Sequence, residues 1–131
     1  MEDKKLFLLS PEIYVSASTM LGGPPAQLFN AYVAKRSTVG FVITPWIKDQ
    51  MEKQLIEAGM DTEAAARQSA FVASLGHASD DPEDLEDDPI VSIAKQIGLD
   101  TVYHASGREK EVVDGIKFLP VHELIEIMKE I

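Results

Sequence analysis

The stretch "LFLLSPEIYVSA", residues 6 to 17, decides the fold class of this chain. It opens on four apolar residues without alternation and then changes to polar residues and proline at Ser10-Pro11-Glu12. A short unbroken apolar run is typical of a strand buried on both faces, as in a parallel sheet covered by helices. In such sheets the ligand or catalytic site lies beyond the carboxyl ends of the strands. The neutral Ser10 therefore stands where a functional residue is expected.

The rest of the chain alternates strand-length apolar segments with segments of helical periodicity. The predicted strands are Leu6 to Leu9, Val39 to Ile43, Thr101 to Ala105 and Ile116 to Leu119. The predicted helices are Pro25 to Lys35, Pro45 to about Gly59, Asp61 to about Leu75, Pro89 to Gly98, and a last helix that begins at Pro120. This order predicts an α/β fold, a three-layer α/β/α arrangement with a mostly parallel central sheet.

Side chains suited to helix N-caps stand at the start of three of these helices, and a fourth stands directly after the first predicted strand. They are Ser10, Thr44, Asp61 and Asp88, and three of the four are followed directly by proline. Such side chains accept hydrogen bonds from the first free amides of a helix, and proline is favoured at the first helical position. Ser10 and Asp88 therefore have a purely structural interpretation, as helix caps.

The composition indicates one globular domain, residues 1–131, with 45% hydrophobic and 26% charged residues. The chain contains no cysteine, so disulfides, thiolate zinc sites and cysteine nucleophiles are excluded. We find no signal-peptide core and no apolar segment long enough to span a bilayer. We therefore expect a soluble, cytoplasmic protein without a membrane partner.

The net charge of −10 argues against a nucleic-acid partner. Phosphate backbones bind basic surfaces, so RNA binding is not expected. Much of the negative charge lies in an acidic loop, residues 79–88, where seven of the nine residues from Asp80 to Asp88 are acidic. We expect a mobile, solvated loop, although its charge would also suit docking of a basic protein partner.

Several short motifs in a fixed order carry a family resemblance over nearly the whole chain. They are Val15-Ser16-Ala17, then Gly22-Gly23-Pro24-Pro25-Ala26 with Leu28, then Thr44-Pro45 with Leu55, then the helix from Asp87 to Ala94, and finally Leu119-Pro120 with Glu123-Leu124. In this order the chain resembles the PIN domain, a nuclease fold that includes toxins of toxin–antitoxin pairs. Each motif alone is weak, and the order and spacing carry the likeness.

The resemblance implies a ribonuclease site of three or four carboxylates that bind Mg²⁺ or Mn²⁺ at the carboxyl edge of the sheet. Its four positions fall on Ser10, Gln50, Asp87 and Ser106 in this chain. Only Asp87 keeps a carboxylate, so we assign no catalytic residue and expect no cofactor. If a site remains, Asp87 would be its metal ligand, with Asp49 and Glu12 as helpers and Mg²⁺ or Mn²⁺ as the cofactor.

Two hypotheses follow. The first is a PIN-like domain that has lost ribonuclease activity and acts through protein contacts. The second is a residual Mg²⁺- or Mn²⁺-dependent endoribonuclease that uses Asp87 and nearby acids. Homodimerisation is implied by the resemblance alone.

The remaining candidates for chemistry are weaker. His104 lies near the end of the third predicted strand and could be a general base, but an ordinary, partly buried histidine is expected there. Trp46, Tyr32 and Phe71 could stack on bases, but aromatic residues at this helical spacing usually belong to the core.

Overall fold

The computed structural model describes residues 4–20, 22–85, 87–105 and 111–131. The strands are β1 (Lys5–Leu8), β2 (Val39–Ile43), β3 (His77–Ala78), β4 (Thr101–His104), β5 (Val112–Val113) and β6 (Ile116–Pro120). The helices are α1 (Pro11–Thr19), α2 (Pro24–Ala34), α3 (Pro45–Glu57), α4 (Thr62–Leu75), α5 (Pro89–Ile97) and α6 (Val121–Lys129). The mixed helix and strand content confirms an α/β fold, and the four predicted strands are all present.

Two three-stranded sheets meet at the ends of β1 and β4. The first has the order β1-β2-β3 and is parallel throughout, while the second has the order β4-β6-β5. β4 and β6 are parallel and β5 is antiparallel to β6. A parallel bridge between Leu9 and Tyr103 joins the two sheets. The carboxyl ends of β1 and β4 therefore lie side by side.

The burial of β2 shows why an unbroken apolar run was the useful signal. All five residues from Val39 to Ile43 are buried, although successive side chains point to opposite faces of a sheet. Both faces of the sheet are therefore covered at this strand.

Tyr32 connects α2 to the strand β2 and to the end of α4. Its ring stacks on Phe41 with ring centroids 4.0 Å apart, and its hydroxyl donates to the Leu75 carbonyl.

Two of the four predicted N-caps make the expected hydrogen bond. The Thr44 hydroxyl accepts from the Ile47 amide at 3.3 Å, and the Asp61 carboxylate accepts from the Ala64 amide at 2.9 Å. Ser10 and Asp88 occupy the N-cap positions of α1 and α5, but neither side chain makes the capping bond. Our structural interpretation of these two side chains as caps is therefore wrong. Proline at the first helical position is not the reason, because Thr44 caps α3 in front of Pro45. At Asp88 the backbone, with φ of −123° and ψ of 87°, departs from the extended geometry that Thr44 and Asp61 adopt.

The short strands β3 and β5 were missed. β5 pairs with β6 through a two-residue turn in which Asp114 and Gly115 have φ of 52° and 84°. Positive φ at both positions is the geometry of a type I′ hairpin turn, for which Asp-Gly is a preferred pair. "VVDGIKF", residues 112 to 118, carried this signal.

Candidate functional site at the carboxyl edge of the sheet

Ser10 lies between the carboxyl ends of β1 and β4. Its amide donates to the Tyr103 carbonyl at 2.8 Å, and only 5% of the residue is exposed. The position that the resemblance assigns to the first carboxylate is thus a buried, uncharged part of the sheet edge.

Glu12 reaches the same edge from the first turn of α1. Its Oε2 accepts a hydrogen bond from the Ala105 amide at 3.1 Å, just after β4 ends at His104. The α1 helix begins directly after Ser10, so one short stretch of chain places both residues beside β4. Ser106, the fourth family-equivalent position, lies outside the described residues. Ser10 and Glu12 are therefore the two candidates that this edge brings together.

Asp49 lines an open groove of about 500 Å³ beyond the carboxyl ends of β2 and β3. Thr44, Lys48 and Asp80 line the same groove. Gln50 is half-buried and points about 100° further around the helix axis, as the helical repeat requires. The charged Asp49 and the family-equivalent Gln50 thus point in different directions.

Asp87 lies in a different place. It is exposed and lines a second groove, of about 420 Å³, together with Asp88, Val113 and Asp114. The Asp114 carboxylate there pairs with the Lys95 ammonium at 2.8 Å. Asp87 and Asp49 line separate grooves, so they do not share a pocket.

The donor chemistry at the described family-equivalent positions does not suit Mg²⁺ or Mn²⁺. Ser10 and Gln50 offer neutral oxygens, and Asp87 offers the one carboxylate, whereas hard cations depend on anionic oxygen ligands to offset dehydration. Within residues 4–20, 22–85, 87–105 and 111–131, no three His, Asp or Glu side chains are grouped so as to hold a metal ion. We therefore derive no metal-dependent step for these residues.

Hydrogen bonds from α3 and α5 anchor described residues of the acidic loop. The Trp46 amide donates to the Asp81 carboxylate at 3.0 Å, which places this side chain at the N-terminus of α3. The Gln96 side chain donates to the Asp80 carbonyl at 2.7 Å, and the Ser92 hydroxyl donates to the Leu85 carbonyl at 2.9 Å. Asp80, Glu83, Asp84 and Asp87 are nevertheless exposed. The loop thus presents carboxylates from a backbone that α3 and α5 hold in place.

Two of the weaker candidates differ from expectation. His104 is completely buried rather than partly so, with its ring centroid 6.3 Å from that of Phe118. Such burial does not suit a general base that must reach a substrate. Phe71 was expected in the core but is 56% exposed on α4. Tyr32 is buried and Trp46 packs partly against the core, as expected.

Sequence reasoning missed the larger groove, including Thr44, Ala78 and Ser79 in its lining. The groove is built beside β3, which is only two residues long and gives no strand-length pattern. The signal that could have found it is the carboxyl end of the buried β2, which is where open α/β sheets bind ligands.

No protein-family model, curated protein or solved structure matches the chain. The resemblance to the PIN domain therefore depends on the quoted motifs. None of the helices in the described part of the chain has the length and apolar character needed to cross a bilayer.

Proposed function

We propose that this chain is a PIN-like domain of three-layer α/β/α architecture that has lost metal-dependent ribonuclease activity and acts through contacts with other proteins. The observation that carries the proposal is Ser10. It is buried and uncharged between the carboxyl ends of β1 and β4, where a PIN-type site needs its first carboxylate.

The sheet topology supports the architecture. Parallel pairing of β1, β2 and β3, together with the Leu9–Tyr103 bridge, gives β1 a parallel neighbour on each side. The burial of every residue of β2 calls for covering layers on both faces. A nuclease of this fold would use the edge where the carboxyl ends of the central strands meet.

Electrostatics supports the loss of activity. A carboxylate near a unit positive charge contributes roughly 4 kcal/mol at ~4 Å with an effective dielectric near 20. Replacement of carboxylates by Ser10 and Gln50 removes such contributions, and Asp87 lines a groove away from Asp49. The net charge of −10 also opposes the approach of an RNA backbone.

One observation favours the alternative, a residual Mg²⁺- or Mn²⁺-dependent endoribonuclease. The Glu12 carboxylate lies at the end of β4, 3.1 Å from the Ala105 amide, and so restores one negative charge to the edge where Ser10 is neutral. Two anionic ligands would require Asp87 to move from the groove that it lines with Asp88 and Asp114 to this edge. The Glu12 carboxylate would then have to bind the metal ion while it also accepts the hydrogen bond from the Ala105 amide.

The deciding experiment is a thermal melt of the protein titrated with Mn²⁺. A ligand present at a hundred times its dissociation constant stabilises a fold by ~2.7 kcal/mol, which is readily seen as a rise in melting temperature. The proposal predicts no saturable rise at millimolar Mn²⁺ and no cleavage of a fluorescent single-stranded RNA. The alternative predicts both.

Two matched variants separate a metal site from general attraction of cations to the acidic loop. Asp87→Asn removes the retained carboxylate, and Glu83→Gln removes one charge from an exposed position in the same loop. A saturable rise that Asp87→Asn abolishes and Glu83→Gln retains would overturn the proposal. A small rise in melting temperature that both variants reduce equally would indicate that Mn²⁺ only screens the charges of the acidic loop. That result would agree with the proposal.

A further inference from the structure

The groove beyond β2 and β3 is lined partly by apolar residues. Ile43, Pro45, Ala73 and Ala78 are among its lining residues, and its volume is about 500 Å³. This volume accommodates a few amino-acid side chains. Ser10, Gln50 and Asp87, the described family-equivalent positions, are not among its lining residues.

The edge strand β3 ends beside this groove, since Ala78 and Ser79 are among the lining residues. β3 pairs with β2, its neighbour in the sheet of three strands, and the Ser79 amide donates to the Ile43 carbonyl at 3.2 Å. Backbone groups of successive residues in a strand point to opposite sides, so the amide and carbonyl of Ala78 point away from β2. An extended segment could add to the sheet by hydrogen bonding to Ala78.

The rim of the groove is acidic. Asp49 and Asp80 are both exposed and both line it, with Lys48 as the single basic residue among the lining residues. The chain continues from Asp80 into the acidic loop, which the Asp81 carboxylate holds against the Trp46 amide. A ligand at the β3 edge would thus meet several carboxylates presented by an anchored backbone.

We propose that the β3 edge and its groove bind an extended, basic segment of a partner protein. The segment pairs with the backbone of Ala78, places apolar side chains in the groove and directs arginine or lysine side chains toward Asp49 and Asp80. A second copy of this chain does not suit the surface, because both copies would carry a charge of −10. The inference rests on the proposed function, since it identifies the kind of partner through which the domain would act.

The probe is a dye-labelled synthetic peptide in which arginine and valine alternate. Its control contains the same residues with all arginines first and all valines last, so that the charge is unchanged and the strand pattern is lost. We expect fluorescence anisotropy to show binding of the alternating peptide at least about tenfold tighter than that of the block peptide, equivalent to roughly 1.4 kcal/mol. Higher salt should weaken binding of both. Equal affinity of the two peptides would overturn the proposal.

Variants locate the binding. Ala78→Pro removes the outward-facing amide and should reduce affinity for the alternating peptide to that for the block peptide. In case this variant fails to fold, the double variant Asp49→Asn with Asp80→Asn changes only exposed side chains and should weaken binding by about tenfold. Glu57→Gln with Glu130→Gln removes two exposed charges elsewhere and should have little effect. If both double variants weakened peptide binding equally, the proposed location of the binding site would be wrong.

The outcome can be separated from that of the proposed function. If the alternating peptide shows no preference and Mn²⁺ leaves the melting temperature unchanged, the docking proposal is wrong and the loss of ribonuclease activity stands. A Mn²⁺ stabilisation that Asp87→Asn abolishes would overturn the proposed function, whatever the peptide result.

Discussion

Gly76 joins α4 to β3 at a point where the backbone passes close to a buried side chain. A Cβ atom built at this position would lie 2.7 Å from Ile43 Cδ1 and 3.0 Å from the Phe41 carbonyl oxygen. Contacts this short cannot be accommodated without movement, and the Phe41 oxygen belongs to the central strand β2. Gly76 therefore sets how closely the end of α4 can approach the sheet and so where β3 lies.

We predict that Gly76→Ala destabilises the protein by about 1–3 kcal/mol, the range typical of overpacking in a well-packed core. Urea unfolding followed by circular dichroism measures this. Gly22→Ala is the matched control, since a Cβ there would meet nothing within 4 Å. Equal stabilities of the two variants would show that the sheet adjusts freely around Gly76.

Tyr14 carries a hydroxyl that is buried without a hydrogen-bond partner among the described residues. Burial raises the pKa of Tyr14 above its ordinary value of 10.0, and the nearby Tyr32 raises it further. Because the folded state disfavours the ionised form, titration of Tyr14 costs no stability below about pH 10, and it lowers the free energy of unfolding as the pH rises from there toward the folded-state pKa.

We predict that Tyr14→Phe is at least as stable as the parent near pH 7, because an unsatisfied buried hydroxyl costs about 1–3 kcal/mol. Above about pH 10 the free energy of unfolding should fall less steeply in the variant than in the parent. Urea unfolding at several alkaline pH values tests this. Lysine residues titrate in both proteins, so their effect cancels in the difference between the variant and the parent. A variant clearly less stable at pH 7 would indicate that the hydroxyl is satisfied in solution.

Helix α6 is held at both its face and its end. Val121, Leu124 and Met128 bury its apolar face. The Lys35 ammonium donates to the carbonyls of Met128 at 2.6 Å and Ile131 at 2.8 Å, which places a positive charge at the C-terminal end of the helix. A cation there both satisfies free carbonyls and interacts favourably with the helix dipole.

We predict that Lys35→Met lowers stability by about 1–2 kcal/mol, since hydrogen bonds from a charged donor are lost at two carbonyls. Hydrogen exchange should show the largest loss of protection in the last turn of α6. Lys129→Met is the control, because Lys129 makes an exposed ion pair with Glu126 at 3.1 Å and such pairs contribute little. Uniform loss of protection along the chain would argue against a local role for Lys35.

The excess of acidic residues acts on the fold as a whole. With 22 acidic and 12 basic residues, the compact state brings like charges together, and seven acids fall within residues 80 to 88. Such self-repulsion destabilises a compact state and is screened by salt, since the Debye length falls from about 30 Å at 0.01 M to about 8 Å at 0.15 M.

We therefore predict that the melting temperature rises as sodium chloride is increased from about 0.01 M to 0.15 M, the range over which screening changes most. Differential scanning calorimetry measures the shift. Sucrose at matched osmolality is the control for solvent effects that do not involve charge. A fall in melting temperature with salt would mean that attractive ion pairs outweigh the repulsion.

The sequence by itself determined the elements whose cause is local. Strand-length apolar segments predicted β1, β2, β4 and β6, and every residue of β2 is buried because both faces of that strand are covered. Thr44 and Asp61 predicted helix starts because a cap involves atoms only a few residues apart. The loss of charge at Ser10 and Gln50 was also visible in the sequence, as it depends only on which residues stand there.

Only the tertiary structure decided what depends on residues far apart in the chain. It placed Glu12 against Ala105, Asp81 against Trp46, and Asp49 and Asp87 in separate grooves. It also showed that the side chains of Ser10 and Asp88 make no capping hydrogen bond at their N-cap positions, and that β3 forms an edge beside a groove. These features follow from how sheets and helices pack, because packing brings together side chains whose spacing along the chain carries no signal of their proximity.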